Sequence, residues 1–249
     1  MTQGNETNHN DAAGHTNAPA LYLFPVPLSS GPATNVLPEL NMRILHEVKY
    51  FVVENLRSAR RFLKLCDRNI DIDALHFTEL NEHTPAADVA AMLAPMEAGH
   101  SIGVISEAGC PAVADPGADL VAVAQSRGYT VCPLVGPSSI LMALMASGFN
   151  GQNFAFVGYL PVEAGQRAAR LREMEKRMRT EGQTQIFIET PYRNNRLIAE
   201  LSQRSGPFRL CVASDITGPH ESIVTLPLAK WRTRKYDYNK VPTIFLLSC

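Results

Sequence analysis

The sequence lacks the patterns that usually mark a bound metal, a nucleotide phosphate or a membrane span. Its five cysteines are scattered and form no C-x-x-C pair, so neither a zinc site nor a disulfide framework is predicted. A P-loop is absent, and so is a G-x-G-x-x-G motif after the first predicted strand, which argues against NTP or NAD chemistry. No apolar run approaches the ~18 residues that a membrane helix needs. We therefore expect a cytoplasmic protein with reduced thiols and no metal.

Net charge is also nearly absent. The 249 residues include 23 Lys and Arg and 24 Asp and Glu, which gives a formal net charge of −1. A nucleic-acid-binding protein of this composition has to concentrate its basic residues locally. Hydrophobic residues make up 45% of the chain and charged residues 19%, which is typical of a folded globular protein.

Strand and helix patterns alternate along most of the chain. Residues 1–20 are polar and are predicted to form a disordered tail. The alternation that follows predicts a mostly parallel sheet with helices on both faces, including one helix from Pro85 to Ala98. Consecutive strand patterns near the C-terminal end predict a mixed second sheet. We therefore expect an α/β fold of two domains, spanning 21–149 and 150–249.

Three loops rich in small residues follow predicted strands. SEAGCPAVADPG begins at Ser106, GPSS begins at Gly136, and TPYR begins at Thr190. Ligands of open α/β sheets bind at the carboxyl ends of the strands, and small residues let backbone amides approach a ligand closely. The same residue types also make ordinary tight turns, so no single loop establishes a site.

Six segments together resemble, in order and spacing, the ribosomal RNA 2'-O-ribose methyltransferases of the tetrapyrrole methylase superfamily. SEAGCPAVADPG resembles their SDAGTPGISDPG, and VGPSSILMALMASG resembles their PGPSALLTALSASG. VGYLP, IFIETPYR, LFPVPLSS and VVENLRSARRFL resemble EGFLP, IFYESPHR, LVPTPIGN and AAEDTRHTRKLL. The resemblance runs from Leu21 to Ser248. It implies a two-domain tetrapyrrole-methylase-like fold in which each domain is a sheet flanked by helices.

The resemblance implies that S-adenosylmethionine is the cofactor and that it lies in the cleft between the domains. The residues that it implies as cofactor contacts are Pro25, Ser106, Glu107, Ala108, Cys110, Ser138, Ser139, Phe187, Glu189, Pro242 and Thr243. Methyl transfer is an in-line displacement, so alignment of nucleophile, methyl carbon and sulfur supplies much of the rate. Well-oriented intramolecular reactions gain roughly 7–11 kcal/mol in this way.

A ribose hydroxyl is a poor nucleophile until it loses its proton, so a base or a polarising cation is expected beside it. The catalytic candidates are Glu54, Arg57 and Glu79, with Glu82 and His83 as further possibilities. Glu54 and Arg57 fall at the Glu and Arg of the family's EDTR segment. A solvated surface charge is the other reading of each residue.

Several positions depart from the family pattern. Asn55 and Leu56 replace the Asp and Thr of EDTR, and Glu107 replaces the first Asp of the cofactor loop. The segment at 78–82 lacks both histidines of the family's HEHNE. Because the acceptor-side motifs are the less well kept, we interpret the chain as a diverged paralogue. Methylation of ribosomal RNA is the leading hypothesis; a tetrapyrrole or other small acceptor, and a cofactor-binding module without catalysis, stay open.

Two basic segments are candidates for an RNA-binding surface. The cations of the first, within a predicted helix, are Arg167, Arg170, Arg172, Lys176, Arg177 and Arg179. The second interleaves cations with aromatic residues between Trp231 and Lys240. Phosphate contacts and base stacking use this mixture, although a solvated helix face and an ordinary hairpin have the same composition. The resemblance also implies a homodimer.

Overall fold

The computed structural model describes residues 18–249, so the predicted tail lies almost entirely outside the described residues. The strands of the first half are β1 (Ala20–Phe24), β2 (Tyr50–Val53), β3 (His76–Glu79), β4 (Ile102–Ile105) and β5 (Thr130–Pro133). Its helices are α1 (Glu39–Glu47), α2 (Leu56–Cys66), α3 (Ala86–Val89), α4 (Ala94–Glu97), α5 (Gly117–Ser126) and α6 (Ser139–Ser147). Within residues 18–249, every helix is too short or too polar to cross a bilayer.

The first sheet is wholly parallel, with the strand order β3-β2-β4-β1-β5. Helices α1 and α2 pack on one face, while α3, α4 and α5 pack on the other. The predicted parallel sheet with helices on both faces is therefore confirmed. Strands β1 and β4 are neighbours whose following helices lie on opposite faces, and this arrangement opens a crevice at their carboxyl ends.

The second half forms a mixed sheet, as the sequence predicts. Its strands are β6 (Phe154–Tyr159), β7 (Thr184–Ile188), β8 (Arg209–Ser214), β9 (Ser222–Pro227) and β10 (Thr243–Ser248). Its helices are α7 (Ala164–Glu181), α8 (Asn194–Ser202) and α9 (Leu228–Trp231). The order is β6-β7-β10-β8-β9, and β10 runs antiparallel to both of its neighbours. The expected fold class is confirmed: each half is a sheet flanked by helices.

Helix α6 links the two halves. It follows β5 in the chain, but its buried residues Ala143 and Leu144 belong to a core cluster with Cys211 and Ile244 of the second sheet. Ser138 caps the start of the helix, and Gly148 caps its end in the left-handed conformation, with φ 71°. Packing contacts therefore cross the boundary expected near residues 149–150, which stays a prediction.

Two local predictions differ from the structure. The single helix expected from Pro85 to Ala98 is wrong: a 3₁₀ turn at Ala90–Leu93 separates α3 from α4. Pro95, which has no N–H to donate, lies in the first turn of α4, where that loss is tolerated. The sequence reading also missed β3, an edge strand whose side chains are mostly exposed.

The loop between β4 and α5 has a constrained backbone. Ala112 and Ala114 adopt left-handed conformations, with φ values of 64° and 59°. The carboxylate of Asp115 accepts the N–H groups of Ala112 at 3.0 Å and of Gly117 at 2.6 Å. Burial raises the pKa of Asp115 despite these bonds. The loop is thus held in shape by one carboxylate at the cost of backbone strain.

Ala112→Gly is expected to stabilise the protein. A left-handed conformation costs a non-glycine residue about 1–2 kcal/mol, whereas glycine adds about 0.4–1 kcal/mol of backbone entropy to the unfolded chain. The net rise in the free energy of unfolding should be about 0.5–1 kcal/mol, measured by chemical denaturation. Ala122→Gly, at an exposed position within α5, is the control and should lower it by about the same amount. A destabilised Ala112→Gly variant would contradict the strain argument.

Candidate functional site

A cavity of about 360 Å³ lies between the two sheets, at the carboxyl ends of the first-sheet strands. Leu28, Glu54 and Ser106 reach it from the loops that follow β1, β2 and β4. From the second half, Phe156, Ile188 and Ile244 supply an apolar wall. A volume of this size is within the range of small-molecule sites, and the mostly apolar lining also includes several carboxylate side chains. Because it lies where the chain segments after β1 and β4 leave on opposite faces, the cavity is at the topological switch point of the parallel sheet.

Backbone contacts fix the loops on the first-sheet side. Val26 and Gly109 exchange two hydrogen bonds, at 2.8 and 2.9 Å, which join the loop after β1 to the loop after β4. A Cβ at Gly136 would overlap the ring of Pro25, so only glycine lets the loop after β5 approach this closely. The three loops are thereby packed into one layer behind the cavity.

Seven of the eleven predicted cofactor contacts line the cavity. These residues are Ser106, Glu107, Ala108, Ser139, Glu189, Pro242 and Thr243. Three others lie in the adjoining loops instead. Pro25 is buried against Gly136, the Cys110 thiol donates to the carbonyl oxygen of Pro137 at 3.5 Å, and the Ser138 hydroxyl accepts the N–H of Leu141 as the N-cap of α6.

The side chain of Phe187 does not face the cavity. It is fully buried on the opposite side of the second sheet, where its ring stacks on Phe245 at 5.7 Å between centroids. Because successive side chains of a strand point to opposite faces, the next residue, Ile188, lines the cavity. The Phe187 side chain is therefore not part of the lining, and a contact between Phe187 and the cofactor stays a prediction for its backbone.

Glu189 places a carboxylate in the cavity wall. Its side chain is only 4% exposed; it accepts the N–H of Thr190 at 2.8 Å and pairs with Arg193 at 3.2 Å. A buried carboxylate needs such partners to remain charged. The arrangement leaves one acidic group, fixed in position, at the edge of the second sheet.

A hydrogen bond also connects the two halves directly. The Ser29 hydroxyl, after β1, donates to the carboxylate of Asp215, after β8. That carboxylate also accepts the backbone N–H of His220 at 2.9 Å. Hydrogen bonding from Ser29 lowers the pKa of Asp215. The connection closes the cleft beside the cavity.

The three catalytic candidates lie at the same edge of the first sheet but in different surroundings. Glu54 lines the cavity, and its carboxylate accepts the backbone N–H of Glu107 at 3.1 Å. Burial raises the pKa of Glu54. Glu79 accepts the N–H of Leu56 at 3.0 Å and lies with Arg57 in a neighbouring surface depression. Glu54 is thus the candidate whose carboxylate faces the cavity.

The other two candidates and the EDTR departures also have defined places. Glu82 and His83 are exposed and pair with each other at 3.6 Å, outside the cavity. Asn55 is the N-cap of α2, accepting the N–H of Ser58 at 3.0 Å. Asn and Asp are equivalent in that role, so this departure from the family motif preserves the local structure.

The sequence reading missed several lining residues. Phe156, Ala213 and Ile216 are apolar residues outside the six segments that resemble the family, and they have no chemical signal of their own. Asp115 and Tyr159 did carry a signal, since they lie within the quoted segments SEAGCPAVADPG and VGYLP. Tyr159 is 62% exposed, so its ring stands at the mouth of the cavity.

The cavity suits a ligand that is partly apolar and carries positive charge. Its apolar wall faces carboxylates from both halves, Glu54 and Glu189 among them. The Ser106 hydroxyl is buried and makes no well-formed hydrogen bond within residues 18–249, although it lies near enough to Asp115 to oppose in part the burial that raises the pKa of that carboxyl. A buried hydroxyl of this kind is a group that a bound ligand satisfies. These residues fit S-adenosylmethionine, a sulfonium compound with a purine ring.

Part of each segment expected to bind RNA is engaged within the protein, while other cations of both segments are exposed. Arg167 is buried and paired with Glu200 at 2.9 Å, while Glu173 pairs with both Arg170 and Arg177. In the second segment, Trp231 is fully buried and donates to the carbonyl of Leu210. Its predicted role in base stacking is therefore wrong, because the ring belongs to the core.

Comparison with known proteins agrees with the site. A family described as Tetrapyrrole (Corrin/Porphyrin) Methylases matches residues 31–231. Ribosomal RNA small subunit methyltransferase I of Pseudomonas aeruginosa is 31% identical over 209 residues, covering 84% of this chain and 71% of that protein. The protein of the same name from Vibrio cholerae is 30% identical over 214 residues, covering 86% and 70%.

Solved structures share the fold at low sequence identity. The methyltransferase CobJ superposes with a TM-score of 0.59 at 16% identity, covering 93% of this chain and 94% of its own. Uroporphyrin-III C-methyltransferase from Thermus thermophilus, complexed with S-adenosyl homocysteine, gives 0.53 at 17%, covering 93% and 97%. The chain therefore belongs to the tetrapyrrole methylases, in the branch of the ribosomal RNA small subunit methyltransferases I.

Proposed function

We propose that the protein transfers a methyl group from S-adenosylmethionine to a ribose 2'-hydroxyl of small-subunit ribosomal RNA. One observation carries the proposal: a single cavity is lined by the family's loop segments from both halves, with Glu54 at its edge. The curated relatives at about 30% identity are named as ribosomal RNA small subunit methyltransferases. A ribosomal RNA substrate agrees with the cytoplasmic location expected from the sequence.

Cavity residues from both halves of the protein are proposed to bind the cofactor. Ser106 and the backbone of Glu107 and Ala108 would contact it from the first sheet, while Glu189 and Thr243 would contact it from the second. A carboxylate fixed by Arg193 suits the ammonium of a methionine group, since oppositely charged groups attract strongly at a partly buried site. The apolar wall suits a purine ring.

Glu54 is proposed to take the proton of the acceptor hydroxyl. When bound, S-adenosylmethionine supplies an electrophilic methyl carbon whose bond to sulfur breaks as the oxygen–carbon bond forms, leaving a neutral thioether. The proton released from the hydroxyl passes to the carboxylate of Glu54, which its bond from the Glu107 N–H holds at the cavity edge. Arg57 and Glu79, in the adjoining depression, are proposed to position the acceptor ribose.

Ser139→Tyr is expected to abolish binding of S-adenosylmethionine, because the added ring projects from the lining into the cavity. Affinity is measured by calorimetry, with folding checked by thermal unfolding. Ser126→Tyr makes the same change at the end of α5, away from the cavity, and should leave affinity unchanged. If a folded Ser139→Tyr variant bound the cofactor normally, the pocket assignment would be wrong.

Glu54→Gln is expected to lower methyl transfer to small-subunit RNA by about 10²- to 10⁴-fold while preserving cofactor affinity. The assay is transfer of a labelled methyl group to RNA from a strain lacking the protein, followed by mapping of the modified nucleotide. Because burial raises the pKa of Glu54 above 4.5, wild-type kcat/KM should rise with pH as this carboxyl ionises. That acidic limb should vanish in the variant.

Glu79→Gln is the matched control for this prediction. It makes the same carboxylate-to-amide change beside α2 and keeps an oxygen for the Leu56 N–H. The variant should retain the acidic limb. Loss of the limb in Glu79→Gln but not in Glu54→Gln would transfer the role of base to Glu79. Labelling of a tetrapyrrole, with none of RNA, would overturn the proposed acceptor.

We also propose a homodimer. The family resemblance supports it, as do the exposed apolar side chains Leu141 and Met145 on the outer face of α6. Sedimentation velocity at micromolar concentration should give a single species of twice the chain mass of 27.3 kDa. A monomer under these conditions would refute the proposal.

A further inference from the structure

Helix α2 presents a row of exposed cations. Arg60 and Arg61 each lie three or four residues from Arg57 and from Lys64, and Arg68 follows just beyond the helix. This spacing places the side chains on one face of a helix. Among residues 18–249, no carboxylate forms an ion pair with any of the five. We call this set the α2 stripe.

The nearby acidic groups are already engaged. Glu79 accepts the Leu56 N–H at 3.0 Å, and Asp67 pairs with His46 at 3.5 Å. On α7, by contrast, Glu173 is shared between two arginines, and Glu175 pairs with Arg204. In a chain with a net charge of −1, the α2 stripe is therefore a local concentration of uncompensated positive charge.

Two surface depressions follow the stripe and meet at Arg61. One, of about 530 Å³, is lined by Arg61, Lys64 and Arg68 together with Gly31 and Pro32. The other, of about 460 Å³, includes Arg57, Arg60 and Arg61 and extends to Asn55. Asn55 adjoins Glu54, which lines the cavity between the sheets. The two depressions share Arg61, and together they form a basic path that runs from Arg68 towards the proposed active site.

The length of α2 and the burial of its apolar face indicate what kind of ligand the basic path binds. From Arg57 to Lys64 the helix rises about 10 Å, at 1.5 Å per residue, which is longer than one phosphate group. The apolar face, with Ala59, Phe62 and Leu63, is buried in the core and is unavailable for insertion into a membrane. A flexible chain that carries several phosphates fits this surface.

We propose that the α2 stripe binds the phosphate backbone of the acceptor RNA and leads a single-stranded segment to the cavity. The inference rests on the proposed function, because it identifies where the RNA of that reaction lies. The guanidinium groups supply charge and paired N–H donors for phosphate oxygens, without reading the base sequence. Arg60 lines the depression next to the active site, and its guanidinium carbon lies 5.6 Å from the centre of the Phe77 ring.

The test is the double variant Arg61→Gln/Arg68→Gln, at positions outside the cavity and outside the proposed catalytic groups. RNA affinity is measured at several salt concentrations with small-subunit ribosomal RNA and with a short single-stranded RNA. Each lost phosphate contact reduces the slope of log affinity against log salt by about 0.7 for a single strand. We expect a reduction of about 1.4, a raised KM for RNA and unchanged affinity for S-adenosylmethionine.

The matched control is Arg172→Gln/Lys176→Gln, which removes two exposed and unpaired cations from α7. It should leave the salt slope unchanged. An equal loss in both double variants would show a nonspecific charge effect and would overturn the proposal. So would unchanged naked-RNA affinity in Arg61→Gln/Arg68→Gln with loss only on assembled subunits, which would indicate a ribosomal protein as the partner.

These outcomes are separable from failure of the proposed function. If the wild-type protein methylates no RNA yet its RNA binding depends on Arg61 and Arg68, the stripe stands and the assigned reaction fails. If the wild-type protein methylates small-subunit RNA and the double variant does so with the same KM and salt slope, the reaction stands and the stripe is refuted.

Discussion

The parallel pairing of β1 with β4 is the constraint on which the site depends. The helices that follow these neighbouring strands leave on opposite faces of the sheet, so no connection covers their carboxyl ends. The backbone pair between Val26 and Gly109 then ties the two emerging loops together. The loops that bring Leu28 and Ser106 to the first-sheet side of the cavity are placed by this pairing. The second sheet completes the enclosure.

Charge is distributed unevenly around this frame. Carboxylates face the cavity, where a sulfonium and an ammonium group are proposed to bind, whereas unpaired guanidinium groups follow α2 outside it. The net charge of −1 conceals this separation, because it sums the charges of the whole chain. A cationic cofactor and an anionic polymer could then approach one reaction centre from differently charged surfaces.

The parallel first sheet, the mixed second sheet and the small-residue loops after the strands followed from patterns in the sequence, and the convergence of those loops on one cleft followed from the family resemblance. The direction of the Phe187 side chain could not be predicted. A buried strand is apolar on both faces, so its sequence does not show which side chains share a face. Strand β3 was missed because its exposed edge position removes the apolar pattern. Ion pairs within the protein could not be predicted from the sequence either. The sequence around Arg167 does not indicate that this residue pairs with Glu200, which lies thirty-three positions away along the chain.

Helix α6 has a mechanical consequence for the cavity. Its buried side, around Ala143 and Leu144, is anchored to the second sheet, while its first residue, Ser139, is part of the lining. Any rotation of the second sheet relative to the first would therefore move Ser139 with it. The cavity would then widen or narrow while part of its lining moves together with the second sheet.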